Sequence, residues 1–147
     1  MRPSFRRLIR NQDGVSALEF AIILPVLLTM LVGIFQFGTA INDYLVLTNA
    51  AAKGALTLAL SRGTATPYTS TTAAINAAAP NLDTTKITTT VTLNGSACSS
   101  DSACQTNLLA GNTASVRTTY PCNLVVMGKN YAPSGCTLSA QTAQMVQ

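Results

Sequence analysis

The chain has 147 residues, no histidine, and only nine basic and five acidic side chains, for a net charge of +4. Without histidine it lacks the commonest general base and the commonest neutral metal ligand. The five acids, Asp13, Glu19, Asp43, Asp83 and Asp101, are scattered, so neither an enzyme nor a metal or cofactor site is expected.

The basic excess sits at the start. Arg2, Arg6, Arg7 and Arg10 against Asp13 give the first fourteen residues a charge of +3. With Phe5 as its single aromatic residue, this arm does not read as a nucleic-acid patch. Directly before an apolar segment, it reads as an orientation signal that keeps its end in the cytoplasm.

Residues 15–62 read as one long helix. From Phe20 to Ile41 only Thr29, Gln36 and Thr39 are polar, and a spanning helix needs about 20 such residues. At a rise of ~1.5 Å per residue the helix is about 70 Å long, against about 30 Å for a hydrocarbon core. It therefore crosses a membrane at about 20–41 and continues beyond it. The apolar run is too long for the h-region of a cleaved secretory signal, about 7–15 residues. Pro25 removes one backbone donor and favours a kink, and Gln36 at membrane depth calls for a partner on another helix. Glu19 stands at the start of the run, where a charge is costly and marks a functional site by default.

Past Ile41 the helical period persists in amphipathic form. Asn42, Asn49, Lys53, Thr57 and Ser61 form the wet stripe. Leu45, Ala52, Leu56 and Ala59, with Leu47, Ala51, Ala55 and Leu58, form the apolar side. Ser61-Arg62-Gly63 reads as the helix end.

Residues 63–147 are expected to form a small α+β domain on the far side of the membrane. A Thr-rich loop leads to a short helix over 73–79, capped by Thr71 or Thr72 and stopped by Pro80. Residues 86–93 alternate as a strand, with Ile87, Thr89, Val91 and Leu93 on one side. Asn94-Gly95 is a tight turn. A helical turn is expected at 105–110, strands at 115–120 and 123–127, and a loosely alternating last strand over 136–146, with Cys136, Leu138, Ala140 and Met145 as its apolar positions. The architecture is an antiparallel sheet with a short helix, reached through a long transmembrane helix.

All four cysteines, Cys98, Cys104, Cys122 and Cys136, lie in this domain. An even number in a small oxidised domain predicts two disulfides. Of three possible connectivities, the local pairs Cys98–Cys104 and Cys122–Cys136 are favoured, because each brackets an irregular stretch. The C-x-x-C spacing of a zinc site is absent.

The string Asp13-Gly14-Val15-Ser16-Ala17-Leu18-Glu19-Phe20-Ala21, with Leu24-Pro25 beyond it, resembles the start of TadE-like pseudopilins. These are minor pilins of the Tad (Flp, tight adherence) type IV pilus system. The resemblance covers roughly the first forty residues. It implies that 1–14 is a leader cut between Gly14 and Val15 by a membrane-embedded prepilin peptidase. It also implies that Glu19, beside Phe20, neutralises the N-terminal amine of a neighbouring subunit during assembly. The expected product is a single-pass protein of the bacterial inner membrane that partners lipid, other pilins or pseudopilins and the Tad assembly platform, in pilus assembly, priming or tip formation and hence adherence. The competing expectation is a membrane-anchored adhesive module that never enters a fibre, which would need neither Gly14 nor Glu19.

Overall fold

The computed structural model describes residues 13–126 and 129–147. The arginine-rich arm, and Met127 at the end of one expected strand, lie outside them. The chain divides into two compact units at the Phe37/Gly38 junction. One helix, α1 (Asp13–Leu60), is continuous through both and runs through Pro25 without a break.

The second unit begins with the distal part of α1. It continues with α2 (Pro67–Ala78), a 3-10 turn (Thr84–Lys86), strands β1 (Thr88–Leu93) and β2 (Ser96–Ala97), and helix α3 (Asp101–Asn107). Strands β3 (Thr113–Pro121), β4 (Val125–Val126), β5 (Lys129–Asn130) and β6 (Thr137–Met145) complete it. The main sheet is antiparallel in the order β2-β1-β3-β6, and β4-β5 form a separate two-stranded ribbon. The class is α+β, as the sequence predicts.

Register fixes the faces of the sheet. Val91 pairs with Val116, and Thr118 and Tyr120 pair with Ala140 and Leu138. Because side chains alternate along a strand, these residues share one face with Leu93 and Ala114. That face packs on Leu47, Ala50, Ala51, Ala55, Leu58 and Ala59 of α1 and Ile75 of α2 in one core. Thr118, the polar member of this face, is buried and its hydroxyl donates to the Leu47 carbonyl. The opposite face carries Thr88, Thr90, Thr92, Ser115, Thr119, Ser139 and a single cation, Arg117.

At Gly54, α1 lies close against α2 and β3. A Cβ there would lie 2.5 Å from Cγ1 and 2.8 Å from Cδ1 of Ile75, and 3.5 Å from Cγ1 of Val116. Glycine in a helix interior costs about 1 kcal/mol relative to alanine; here it lets α2 and β3 close on the helix.

Several local expectations are corrected. Helix α2 begins at Pro67, not Ala73, because proline at the first helical position has a preset φ and no donor to lose. Helix α3 begins at Asp101, with Ser100 as N-cap accepting from the Ala103 amide, four residues before the expected turn. Ser61 is buried, not on the wet stripe; its hydroxyl donates to the Thr57 carbonyl at 2.6 Å. Leu45 and Leu56, assigned to the apolar side, are exposed. Met145 points outward, and Val146 takes the buried place.

The turn at Asn94-Gly95 has positive φ at both residues, 48° and 83°, as a type I′ hairpin turn requires. The hairpin it closes adds β2, paired Leu93 to Ser96 and Thr92 to Ala97. Both favoured disulfides are present, Cys98–Cys104 and Cys122–Cys136, and no cysteine is free.

Candidate functional site

The first turns of α1 hold every residue that the sequence marks for processing and assembly. Gly14 and Val15 lie within the helix. Val15, Leu18 and Phe20 are exposed, as is Glu19. Val15 and Glu19 are four residues apart, so they share a helix face.

From Phe20 to Phe37 most of the large apolar side chains of the helix are uncovered. Ile22, Ile23, Val26, Leu27, Leu28, Met30, Leu31, Ile34, Phe35 and Phe37 are all exposed. The most apolar window of α1 has a mean hydropathy of 2.4 and is 0% buried. A helix in the core of a water-soluble protein reaches such hydropathy only by being covered. This one has the length and composition to cross a membrane once, and fits a single-pass membrane protein.

The polar groups of this segment are handled locally. Thr29 donates its hydroxyl to the Pro25 carbonyl at 2.8 Å. Gln36, expected to seek a partner on another helix, already has an interaction within the chain. Glu19 is the one acid between Gly14 and Ile41.

These observations set an exposed carboxylate one turn after a glycine-valine bond, at the head of an uncovered apolar helix. Residues 14–56 match the family model described as TadE-like protein. Over that segment the chain is similar to TadE-like proteins. No curated protein and no solved structure matches the chain. The matched segment ends four residues before α1 does, so it takes in Leu47 to Ala55 of the helix-borne core and leaves Leu58, Ala59 and the sheet outside.

Elsewhere the structure offers architecture more than chemistry. An open groove of about 590 Å³ runs between α1 and α2, walled by Ala52, Leu56, Ala74 and Ala77, with Lys53 its one charge. Among the described residues no group of histidine, cysteine, aspartate or glutamate could hold a metal ion.

One carboxylate does join two elements. Asp101 accepts from the Thr69 backbone N–H at 2.9 Å and from the Thr69 hydroxyl at 2.7 Å. Thr66, the N-cap of α2, makes no side-chain cap bond. Asp101, itself in the first turn of α3, thus caps α2 from another helix, and Gln105 adds bonds to the Thr64 and Ala65 carbonyls. The two Thr69 donors, the amide first, hold the Asp101 carboxyl below its ordinary value. Asp83 is lowered too, by the Thr85 hydroxyl and then by Lys86, its ion-pair partner at 3.0 Å.

Proposed function

We propose that this chain is a minor pilin of a Tad-type pilus. It is made with a basic leader, cut between Gly14 and Val15 by a prepilin peptidase, and assembled through α1 while its cysteine-bonded domain faces outward. The observation that carries this reading is the position of Glu19. It stands at the head of a membrane-length helix, with no ion pair among the described residues and with a TadE-like match beginning at Gly14.

The chemistry begins with removal of the leader. Cleavage frees the Val15 amine about one helical turn from Glu19. Both groups then sit at the edge of a hydrocarbon layer, where an unpaired charge is costly and a paired one less so. A neighbour's helix that brings its own amine to Glu19 relieves both charges and sets the axial register between subunits. The uncovered apolar face of α1 supplies the lateral contact. The arginines of the leader favour a cytoplasmic N-terminus, and the two disulfides suit an oxidising space across the membrane. The partners are the peptidase, other pilins or pseudopilins, the Tad assembly platform and inner-membrane lipid. The role is structural, in assembly, priming or the tip, and hence in adherence, and no step is catalytic.

The test is fractionation of the native host. Pili sheared from cells should carry the mature chain in small amount relative to the major subunit. A chain that stays wholly in the membrane while pili form normally in its absence would favour the anchored adhesive module, whose contact surface would be the Thr/Ser face of the sheet.

A further inference from the structure

Strand β6 is an edge. Among the described residues it pairs with β3 on one side and with nothing on the other. Its backbone phase is set by the ladder it makes. The Val146 amide donates to the Asn112 carbonyl, and antiparallel ladders alternate between hydrogen-bonded and non-hydrogen-bonded pairs. The register continues from there as Ala114 to Gln144, Val116 to Thr142 and Thr118 to Ala140. The even-numbered residues of β6 therefore spend their N–H and C=O groups on β3. Thr137, Ser139, Gln141, Ala143 and Met145 aim theirs at the open edge.

Exposed edges are ordinarily blunted by lysine, proline, inward-pointing charge or a bulge. Between Thr137 and Met145 there is no charge and no proline, and the nine-residue register with β3 runs without interruption. The side chains beside the edge lean away from it. Gln141 donates to Ser115, and Ser139 accepts from Arg117, both on β3.

We propose that the β6 edge is a docking strand, completed in the assembled state by an extended strand of a different subunit. Alternating donors and acceptors at strand spacing are matched by another strand, not by lipid or a compact ligand. A second copy of this chain pairing β6 to β6 in antiparallel fashion is disfavoured by topology. The twofold axis of that pair stands normal to the sheet and reverses every direction within it. The distal part of α1 packs on the sheet face and would be reversed too, whereas both copies must enter one membrane in the same sense. The incoming strand is uncharged and alternates. Small polar residues lie beside Ser139, Gln141 and Ala143, and small apolar ones beside Leu138 and Ala140. This inference rests on the reading that the chain enters a multi-subunit assembly.

The test uses the full chain in its native host and amide exchange on the purified protein. In the purified chain the Ser139, Gln141 and Ala143 amides should exchange at least tenfold faster than those of Ala140, Thr142 and Gln144. Equal protection would mean that the edge is already occupied, and would overturn the proposal. In cells, Gln141→Pro and Ala143→Pro remove an outward donor and leave the β3 ladder intact. They should keep both disulfides and normal leader cleavage but fall at least tenfold in the pilus fraction. A benzophenone side chain placed at Gln141 should cross-link to an extended segment of another pilus protein. Proline variants that fractionate like the parent, or a cross-link to this chain's own β6, would overturn the proposal. If those variants match a parent that is present in pili, the docking strand fails and the pilin reading stands. If the parent is absent from pili, the pilin reading fails, and the exchange contrast still tests the edge.

Discussion

At the scale of single residues, two carboxylates do different work. Glu19 is exposed at the head of α1, and the buried core includes no residue before Leu47. Its loss should therefore leave the domain intact. Glu19→Ala and Glu19→Gln are expected to give normal leader cleavage and an unchanged melting temperature, with weak incorporation into a purified pilus complex. Incorporation at the parent's level by both variants would remove charge pairing from the mechanism. Asp101, in contrast, serves the fold. Its carboxyl is held below the ordinary value of 3.8 by the Thr69 donors. A depressed native pKa contributes stability that is present above 3.8 and lost as pH falls through the native value. Asp101→Ala should thus melt below the parent at pH 7, and the difference should shrink as pH falls below about 3.8. Melts at pH 7 and pH 2.5 check this; a difference independent of pH would deny the trans cap.

At the scale of elements, the contact between α1 and α2 turns on one missing methyl group. Gly54→Ala raises helix propensity by about 1 kcal/mol, yet places a Cβ at 2.5 Å from Ile75. Overpacking of this kind costs about 1–3 kcal/mol, so the variant should be less stable in denaturant unfolding. Ile75→Ala in the same chain should cost less than in the parent, because the two changes share one volume. Simple additivity would show that the clash is relieved elsewhere.

The same elements show what the sequence makes legible. The long helix, the alternating strand expected over 86–93 and the Asn94-Gly95 turn are local patterns; the helix and the turn are found where their residues say, and the strand starts two residues late, at Thr88, after a 3-10 turn. The starts of α2 and α3 are offset for a different reason. Pro67 carries a local signal, but the cap that completes α2 comes from Asp101, 32 residues on from Thr69, and no sequence window contains both. Burial on α1 misleads similarly. Ser61 is inside because Thr57 accepts its hydroxyl, and Leu45 and Leu56 are outside because sheet and α2 cover a different side of the helix. Gly14, Val15, Glu19 and Phe20, which the sequence marks for processing and assembly, lie within seven positions, so no tertiary pairing is needed to group them. The open edge of β6 was not, because an edge is defined by which strands pair.

At the scale of the whole molecule, a small sheet is fastened by two cross-links and carried on one membrane-length helix. The bridges close short loops, with sequence separations of 6 and 14. Loop entropy alone assigns them about 2 and 3 kcal/mol. Replacing Cys122 and Cys136 by alanine should lower unfolding stability by about 3 kcal/mol. Replacing Cys98 and Cys104 should cost more than its short loop implies, since both sulfurs are buried and their loss leaves a cavity. Chemical denaturation of the detergent-solubilised protein distinguishes the two; equal stability of all forms would mean that the core alone holds the fold. The central claim, that this helix is a processed pilin helix, is tested most directly by the intact mass of the protein from its native host with an active peptidase. The expected mass lacks the first fourteen residues, with a mature N-terminus at Val15. A chain that still begins at Met1 or Arg2 would contradict it.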